Sequence, residues 1–191
     1  MDVLENLEEN VTYEVLLLTG EGVNVNIKPF GLRYTGESFV FDLFPNRTLL
    51  NIKRAGTLTV YFLYDVLAFT KAFFDELTLD ELGGICHCSI QCDVKSMESY
   101  MTDDSYGKNI LTRIIAEPTE IITNNLTLPI INRATIHIID VLVDFSRYEY
   151  MDVDARNNFK EKIRLIEKTV EKTGNTKHRK AMEIIKNRMK E

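Results

Sequence analysis

The chain has 191 residues, 45% hydrophobic and 27% charged, with a formal net charge of −6. At roughly 100–200 residues per domain, that is one domain or two small ones sharing a core, and the composition is that of a folded rather than a disordered chain. A membrane-spanning helix is excluded: a span needs about 20 mostly apolar residues, and the most apolar stretch, 121–143, is broken by Asn124, Asn125, Pro129, Asn132, Arg133 and Asp140. The N-terminus carries Glu5 and Glu8 early and reads as neither a signal nor a transit peptide. The three cysteines all lie between positions 86 and 92, too close together for a disulfide framework. Together these features predict a cytoplasmic protein.

In chain order, Thr12–Leu18 reads as a buried strand and 19–22, with two glycines, as a turn. Val23–Lys28 alternates apolar and polar residues like a half-buried strand, and Pro29, lacking a donor, should end it or lie at a sheet edge. Ser38–Phe44 is another strand, broken by Pro45-Asn46. A short helix follows over 48–55, capped by Asn46 or Thr48 and stopped by Gly56. Thr57–Tyr64, β-branched and aromatic throughout, is the strongest strand signal in the chain. Asp65 should cap a helix carrying Val66, Phe69, Phe73 and Leu77 on one face, and 84–94 alternates again as a strand.

Beyond 130 the period changes. Ile131, Ala134, Ile138, Val141 or Leu142 and Phe145 step by three and four, predicting a helix over 131–146. A second helix over 153–173 presents Phe159, Ile163, Ile166 and Val170 and stops at Gly174. Asn175-Thr176 then caps a third with Met182, Ile185 and Met189 inward, so the chain closes on an αα-hairpin. Short strands with glycine turns followed by helices predict an α+β fold, a small antiparallel barrel with a helical C-terminal region. The domain boundary is placed between 1–128 and 129–191.

Charge is uneven along the chain. Residues 152–191 hold 12 basic and 7 acidic side chains, a net +5, whereas residues 1–151 hold 11 basic and 22 acidic, a net −11. A basic helical end solvated beside an acidic body explains this. A nucleic-acid-associated role for the end is the alternative, but its basic residues alternate with acids and Phe159 is its one aromatic residue.

Familiar catalytic signatures are missing, including the glycine-rich dinucleotide and phosphate loops, Gly-x-Ser-x-Gly and His-Glu-x-x-His. Cys86, His87, Cys88 and Cys92 are zinc-type ligands in kind, but on a strand the cysteines face one way and His87 the other, and no second ligand pair exists. We read them as buried apolar cysteines with no metal. The start of the 48–55 helix is different: free N–H groups and the dipole favour an anion there, Arg47 can offer a forked contact, Thr48 a hydroxyl, and Asn51 lies one turn on. Capping by Asn46 or Thr48 beside a solvated Arg47 is the plainer reading of the same residues.

Four segments carry a resemblance. Asn26-Ile27-Lys28-Pro29-Phe30-Gly31-Leu32 is similar to an Asn-Ala-Ala-Pro-x-Gly-Val segment, and Asn46-Arg47-Thr48-Leu49-Leu50-Asn51-Ile52 to a Ser-x-Thr-x-x-Asn pattern. Pro129–Ala134 and Asp140–Arg147 resemble Asn-Arg-Ala and Ser/Thr-Arg segments. In this order they resemble an archaeal family of FMN-binding split-barrel proteins of unassigned function, related to flavin reductases and pyridoxamine-phosphate-oxidase-like barrels. The resemblance implies a split barrel that forms a homodimer, with FMN near the interface. It implies Arg47, Thr48 and Asn51, with Asn46, around the flavin phosphate. It implies Asn26, Lys28, Pro29 and Gly31 beside the isoalloxazine, where Lys28 offers a hydrogen bond. Ile27-Lys28 replaces two small residues of the family pattern, and Asn46 a serine. Function follows as an FMN flavoprotein, an oxidoreductase if it turns over, with a non-catalytic binding module on the same fold as the alternative. Tyr61, Phe62 and Tyr64 are the apolar side chains expected at the dimer surface.

Overall fold

The computed structural model describes residues 4–9, 12–104, 107–123 and 133–189. By their contacts the residues form two compact units, one of Met1–Leu63 with Leu77–Thr127, the other of Tyr64–Glu76 with Leu128–Glu191. The helix beginning at Val66, which the sequence boundary assigns to the first domain, therefore packs in the second unit; the 128/129 boundary lies outside the described residues.

The first unit is a closed antiparallel barrel of six strands in the order β1-β2-β3-β6-β5-β4. They span Thr12–Thr19 (β1), Asn26–Tyr34 (β2), Phe39–Leu43 (β3), Thr57–Phe62 (β4), Cys88–Asp104 (β5) and Gly107–Thr123 (β6). Period-two alternation puts Val15, Leu17, Leu32, Phe39, Phe41, Val60, Ile90 and Ile114 in one buried core. Phe62 packs against that core, its ring 6.4 Å from Phe39, so this residue expected at a dimer surface is spent on the barrel interior. Pro29 lies where β2 is paired with β1 but not with β3, which joins β2 only at Arg33 and Tyr34. On the β3 side its missing donor therefore costs no ladder bond.

Two helices belong to this unit, α1 (Arg47–Ala55) and α3 (Leu79–Ile85). Helix α1 starts on Asn46, whose side chain accepts from Leu49 N, and ends on left-handed Gly56. Cys86 is not part of a strand; it follows the last turn of α3, and β5 begins at Cys88. All three cysteines are buried, and burial pushes the Cys86 thiol up to about 11 and the Cys92 thiol to about 12. Such thiols stay protonated at neutral pH, and among the described residues no cluster of His, Cys, Asp or Glu is arranged to hold a metal ion.

The second unit is helical: α2 (Val66–Phe73), α4 (Arg133–Phe145), α5 (Val153–Thr173) and α6 (Thr176–Arg188). Ile131 and the Pro129–Asn132 part of the resemblance lie outside the described residues. Asp65 caps α2 by accepting from Leu67 N and Ala68 N. Helix α4 buries Ala134, Ile138, Val141 and Leu142, while α5 buries Phe159, Ile163, Ile166 and Val170. The rings of Phe73, Phe74, Phe145, Tyr148 and Phe159 make a chain of contacts with centroids 5.0–6.0 Å apart. Basic side chains of α5 and α6 are paired inside the unit: Lys162 with Asp144 (2.6 Å), Lys186 with Glu167 (2.6 Å), Arg188 with Glu76 (3.0 Å), and Lys177 with Asp65. The charge excess of the C-terminal helices is thus partly neutralised within the fold. Among the described residues no helix is long and apolar enough to cross a membrane.

Candidate functional site

The loop between β1 and β2, the start of β2 and the first turns of α1 are tied together by buried side chains. Asn26 opens β2, is 4% exposed, and donates through Nδ2 to Thr48 Oγ1 at 2.8 Å. Thr48, on the first turn of α1, is 1% exposed. One turn on, Asn51 donates through Nδ2 to Asn24 O at 2.9 Å and lies 3.3 Å from Thr19 O. The Asn51 amide satisfies backbone carbonyls that a short buried loop would otherwise leave bare, and the Asn26 amide ties β2 to α1 through the Thr48 hydroxyl. Gly20 is required by the same arrangement. Its φ is +77°, and a Cβ there would sit 2.4 Å from Asn24 O and 2.6 Å from Asn51 Nδ2.

Arg47 stands at the first position of α1, exposed, with Nη2 donating to Val23 O at 3.2 Å. Arg47 thus adds a permanent positive charge at the end of α1 where the dipole is positive and first-turn N–H groups are free. Asn46 is spent on the cap. The Asn26–Thr48 and Asn51–Asn24 bonds mean that Thr48 and Asn51 build the platform, and Arg47 is the residue of this group whose side chain reaches solvent.

The β2 residues divide. Leu32 and Tyr34 face the barrel core, so Asn26, Lys28 and Phe30 share the inward side and Ile27, Pro29 and Gly31 the outward one. Lys28 is half-buried and Gly31 exposed. A Cβ at Gly31 would meet the Thr12 methyl at 3.1 Å and nothing else within 4 Å, so the outer surface there is open backbone. One flat ligand cannot touch both sides of a strand; the structure groups Pro29 with Gly31 and separates them from Lys28.

A cleft of about 250 Å³ opens beyond the loop, lined by Thr19, Gly20, Glu21, Thr57, Gln91 and Asp93 among others. The cleft residues were not foreseen from the sequence. The signal there was the β-bulge between Gln91 and Cys92, which no local pattern announces. Its two carboxylates, Glu21 and Asp93, disfavour a phosphate, whereas the Arg47 end of α1 favours one.

Residues 13–125 match the model for the N-terminal domain of DUF447, a protein of unknown function, and residues 132–187 match the model for its C-terminal part. The chain belongs to the DUF447 family. Its fold is similar to that of an FMN-bound DUF447 protein from Methanosarcina mazei, with a TM-score of 0.78 and 22% identity over 97% of this chain and 99% of that one. Partial likenesses extend to the flavin reductase of a Pseudomonas putida S12 styrene monooxygenase (TM-score 0.40, 16% identity, 60% of this chain and 82% of that one). Another is component B of nitrilotriacetate monooxygenase from Bacillus cereus (TM-score 0.42, 11% identity, 59% and 70%). No curated protein matches the DUF447 chain. The split-barrel architecture of the family is the fold seen here.

Proposed function

We propose that this DUF447 chain is an FMN-binding homodimeric flavoprotein whose flavin phosphate rests at the start of α1. The observation that carries the proposal is the exposed Arg47 guanidinium at a helix start that the Asn26–Thr48 bond holds against β2 and Asn51 against the β1–β2 loop. The donor set fits a phosphate monoester: a permanently charged fork, first-turn N–H groups and a helix dipole, with no carboxylate in the first turn of α1. The family relative that is FMN-bound shares the fold over nearly its whole length, which supports the same ligand here.

From that end the ligand runs along β2, whose first residue is bonded to α1. Asn26 to Gly31 spans roughly 16 Å of strand. On its outward side Pro29 gives a rigid flat edge and Gly31 an open backbone, against which a planar ring can lie. FMN, when bound, supplies hydride and electron chemistry, and the chain's part is to bind and orient it. Arg47 takes up the dianion's charge, the Asn26–Thr48 bond fixes the distance from helix to strand, and Asn51, with room left by Gly20, holds the loop against α1. The reaction class is flavin-dependent oxidation or reduction.

The test is uptake of cofactor. Purified protein mixed with FMN and desalted is expected to retain flavin absorption bands and to shift flavin fluorescence on titration. A colourless protein that leaves added FMN fluorescence unchanged contradicts the proposal.

A further inference from the structure

The cleft beside the β1–β2 loop lies on the outer side of the barrel wall. Leu18 of β1 pairs with Thr59 of β4, and Thr59 with Gln91 of β5; two residues along, Thr57 pairs with Asp93. Leu17, Leu58, Val60 and Cys92 belong to the core, so alternation turns Leu18, Thr57, Thr59, Gln91 and Asp93 outward. Gly20, without a side chain, and the short threonines leave a hollow of about 250 Å³, to which Glu21 of the loop and Ala55 at the end of α1 also contribute. Thr119 is the extra residue of the bulge, between Glu120 paired with Gln91 and Pro118 paired with Cys92. Its hydroxyl donates to Gln91 O at 3.1 Å, so that carbonyl is satisfied within the chain.

The lining is one-sided in its chemistry. It holds two carboxylates, Glu21 and Asp93, and no basic residue. Glu21 precedes the 22–24 turn without making a side-chain cap bond, and among the described residues neither carboxylate has a hydrogen bond or an ion pair. Lys95, two residues on from Asp93, is paired with Glu117 (3.1 Å). The side-chain oxygens of Thr57, Thr59 and Gln91 add further acceptors. An ammonium complements such a set, because it only donates and carries the opposite charge. A single metal ion does not: the two carboxylates lack a third ligand, and among the described residues no cluster of His, Cys, Asp or Glu is arranged to hold one. Leu18 and Ala55 add apolar surface for methylene groups. The volume lies below the roughly 300–1,000 Å³ of drug-sized sites, which suits a short chain.

We infer that this cleft binds a small aliphatic polyamine, with one ammonium at Glu21, a second at Asp93 and the methylenes between them against Leu18 and Ala55. Two separated cations are needed to meet both carboxylates. A monoamine neutralises one and leaves the other, and a neutral diol neutralises neither. The formal net charge of −6 draws cations toward the chain as a whole, and the two carboxylates give them a place to stop. The site is separate from the one proposed for the flavin phosphate. The start of α1 has an exposed arginine and no carboxylate in its first turn, whereas the cleft has two carboxylates and no base. The two ligands are opposite in charge and do not compete.

Isothermal titration calorimetry of the full chain with putrescine at low ionic strength tests the cleft. A single saturable site per chain is expected, with butylamine bound about tenfold more weakly or worse and butanediol giving no binding heat. Glu21→Gln and Asp93→Asn keep side-chain size and remove one charge each. Both, checked for native circular dichroism, are expected to weaken putrescine by about tenfold or more. Glu37→Gln removes an equal charge from the exposed stretch between β2 and β3, and is expected to leave the affinity within about twofold. If Asp93→Asn fails to fold, Glu21→Gln reports alone. Absence of saturable putrescine binding, butylamine bound as tightly as putrescine, or a loss in Glu37→Gln equal to that in Glu21→Gln overturns the inference. FMN titration of the same samples reads the flavin proposal separately, since neither cleft variant touches the start of α1.

Discussion

Single side chains in this molecule do their work mainly by closing backbone that the turns leave open. Asn51 shows it in the barrel, and His178 in the helical unit. His178 is 8% exposed; Nε2 lies 2.9 Å from Thr135 Oγ1, and Nδ1 accepts from the backbone N–H of Asn175 at 3.2 Å, closing the capping box of α6. Burial holds its pKa below the ordinary 6.5, with nearby Asp65 pulling up and Lys177 pushing down. Protonation is thus easier in the unfolded chain, so the stabilisation is complete above pH 6.5 and is lost as pH falls from there through the lowered folded value. The melting-temperature gap between wild type and His178→Gln should narrow between pH 8 and pH 5; a gap that does not change with pH counts against the role. The caps at Asn46, Asp65 and Asn175 were legible in the sequence because capping is a local chemistry of one side chain and the next turn. That Thr48 turns inward to Asn26 was not, since its partner lies 22 residues away. Lys28 and Gly31 fall on opposite sides of β2 for a reason the motif conceals: a segment read as a unit in sequence is a strand in space, and strands alternate.

At the scale of elements, strands with strong alternation and helices with clear faces were readable, and two kinds of element were not. Helix α3 carries Gly83 and Gly84, which mask its helical character, yet its start bears a complete capping box: Thr78 accepts from Glu81 N at 3.3 Å and Glu81 Oε2 accepts from Thr78 N at 3.1 Å. Thr78→Ala should lower unfolding free energy by about 1 kcal/mol in urea denaturation, and an unchanged midpoint would show that the cap is idle. The outer half of β5 and all of β6 escaped for a different reason. Lys95, Ser96, Glu98 and Ser99 interrupt the apolar pattern, and bulges at Gln91/Cys92 and Val94/Ser96 shift its phase. Pro29 was expected to end its strand or lie at an edge; β2 instead runs through it to Tyr34, and Pro29 sits where only the β1 side of β2 is paired.

On the scale of the whole chain, the uneven charge has a structural counterpart. Lys162, Lys177, Lys186 and Arg188 are paired with acids of the helical unit, so the excess of +5 over 152–191 is spread through ion pairs rather than presented as a field. The barrel unit then carries the candidate chemistry, with one exposed cation where a helix begins. The central claim, that a flavin phosphate rests there, is tested most directly by titrating FMN and riboflavin against wild type and Arg47→Ala. Riboflavin has the ring without the phosphate. Losing charge-assisted bonds worth roughly 1.5–3 kcal/mol should weaken FMN by about ten- to a hundredfold. Riboflavin affinity should hold, because Arg47 is exposed and its bond to the Val23 carbonyl lies in the loop, away from Pro29 and Gly31. Equal loss for both flavins, or loss for neither, would contradict the claim.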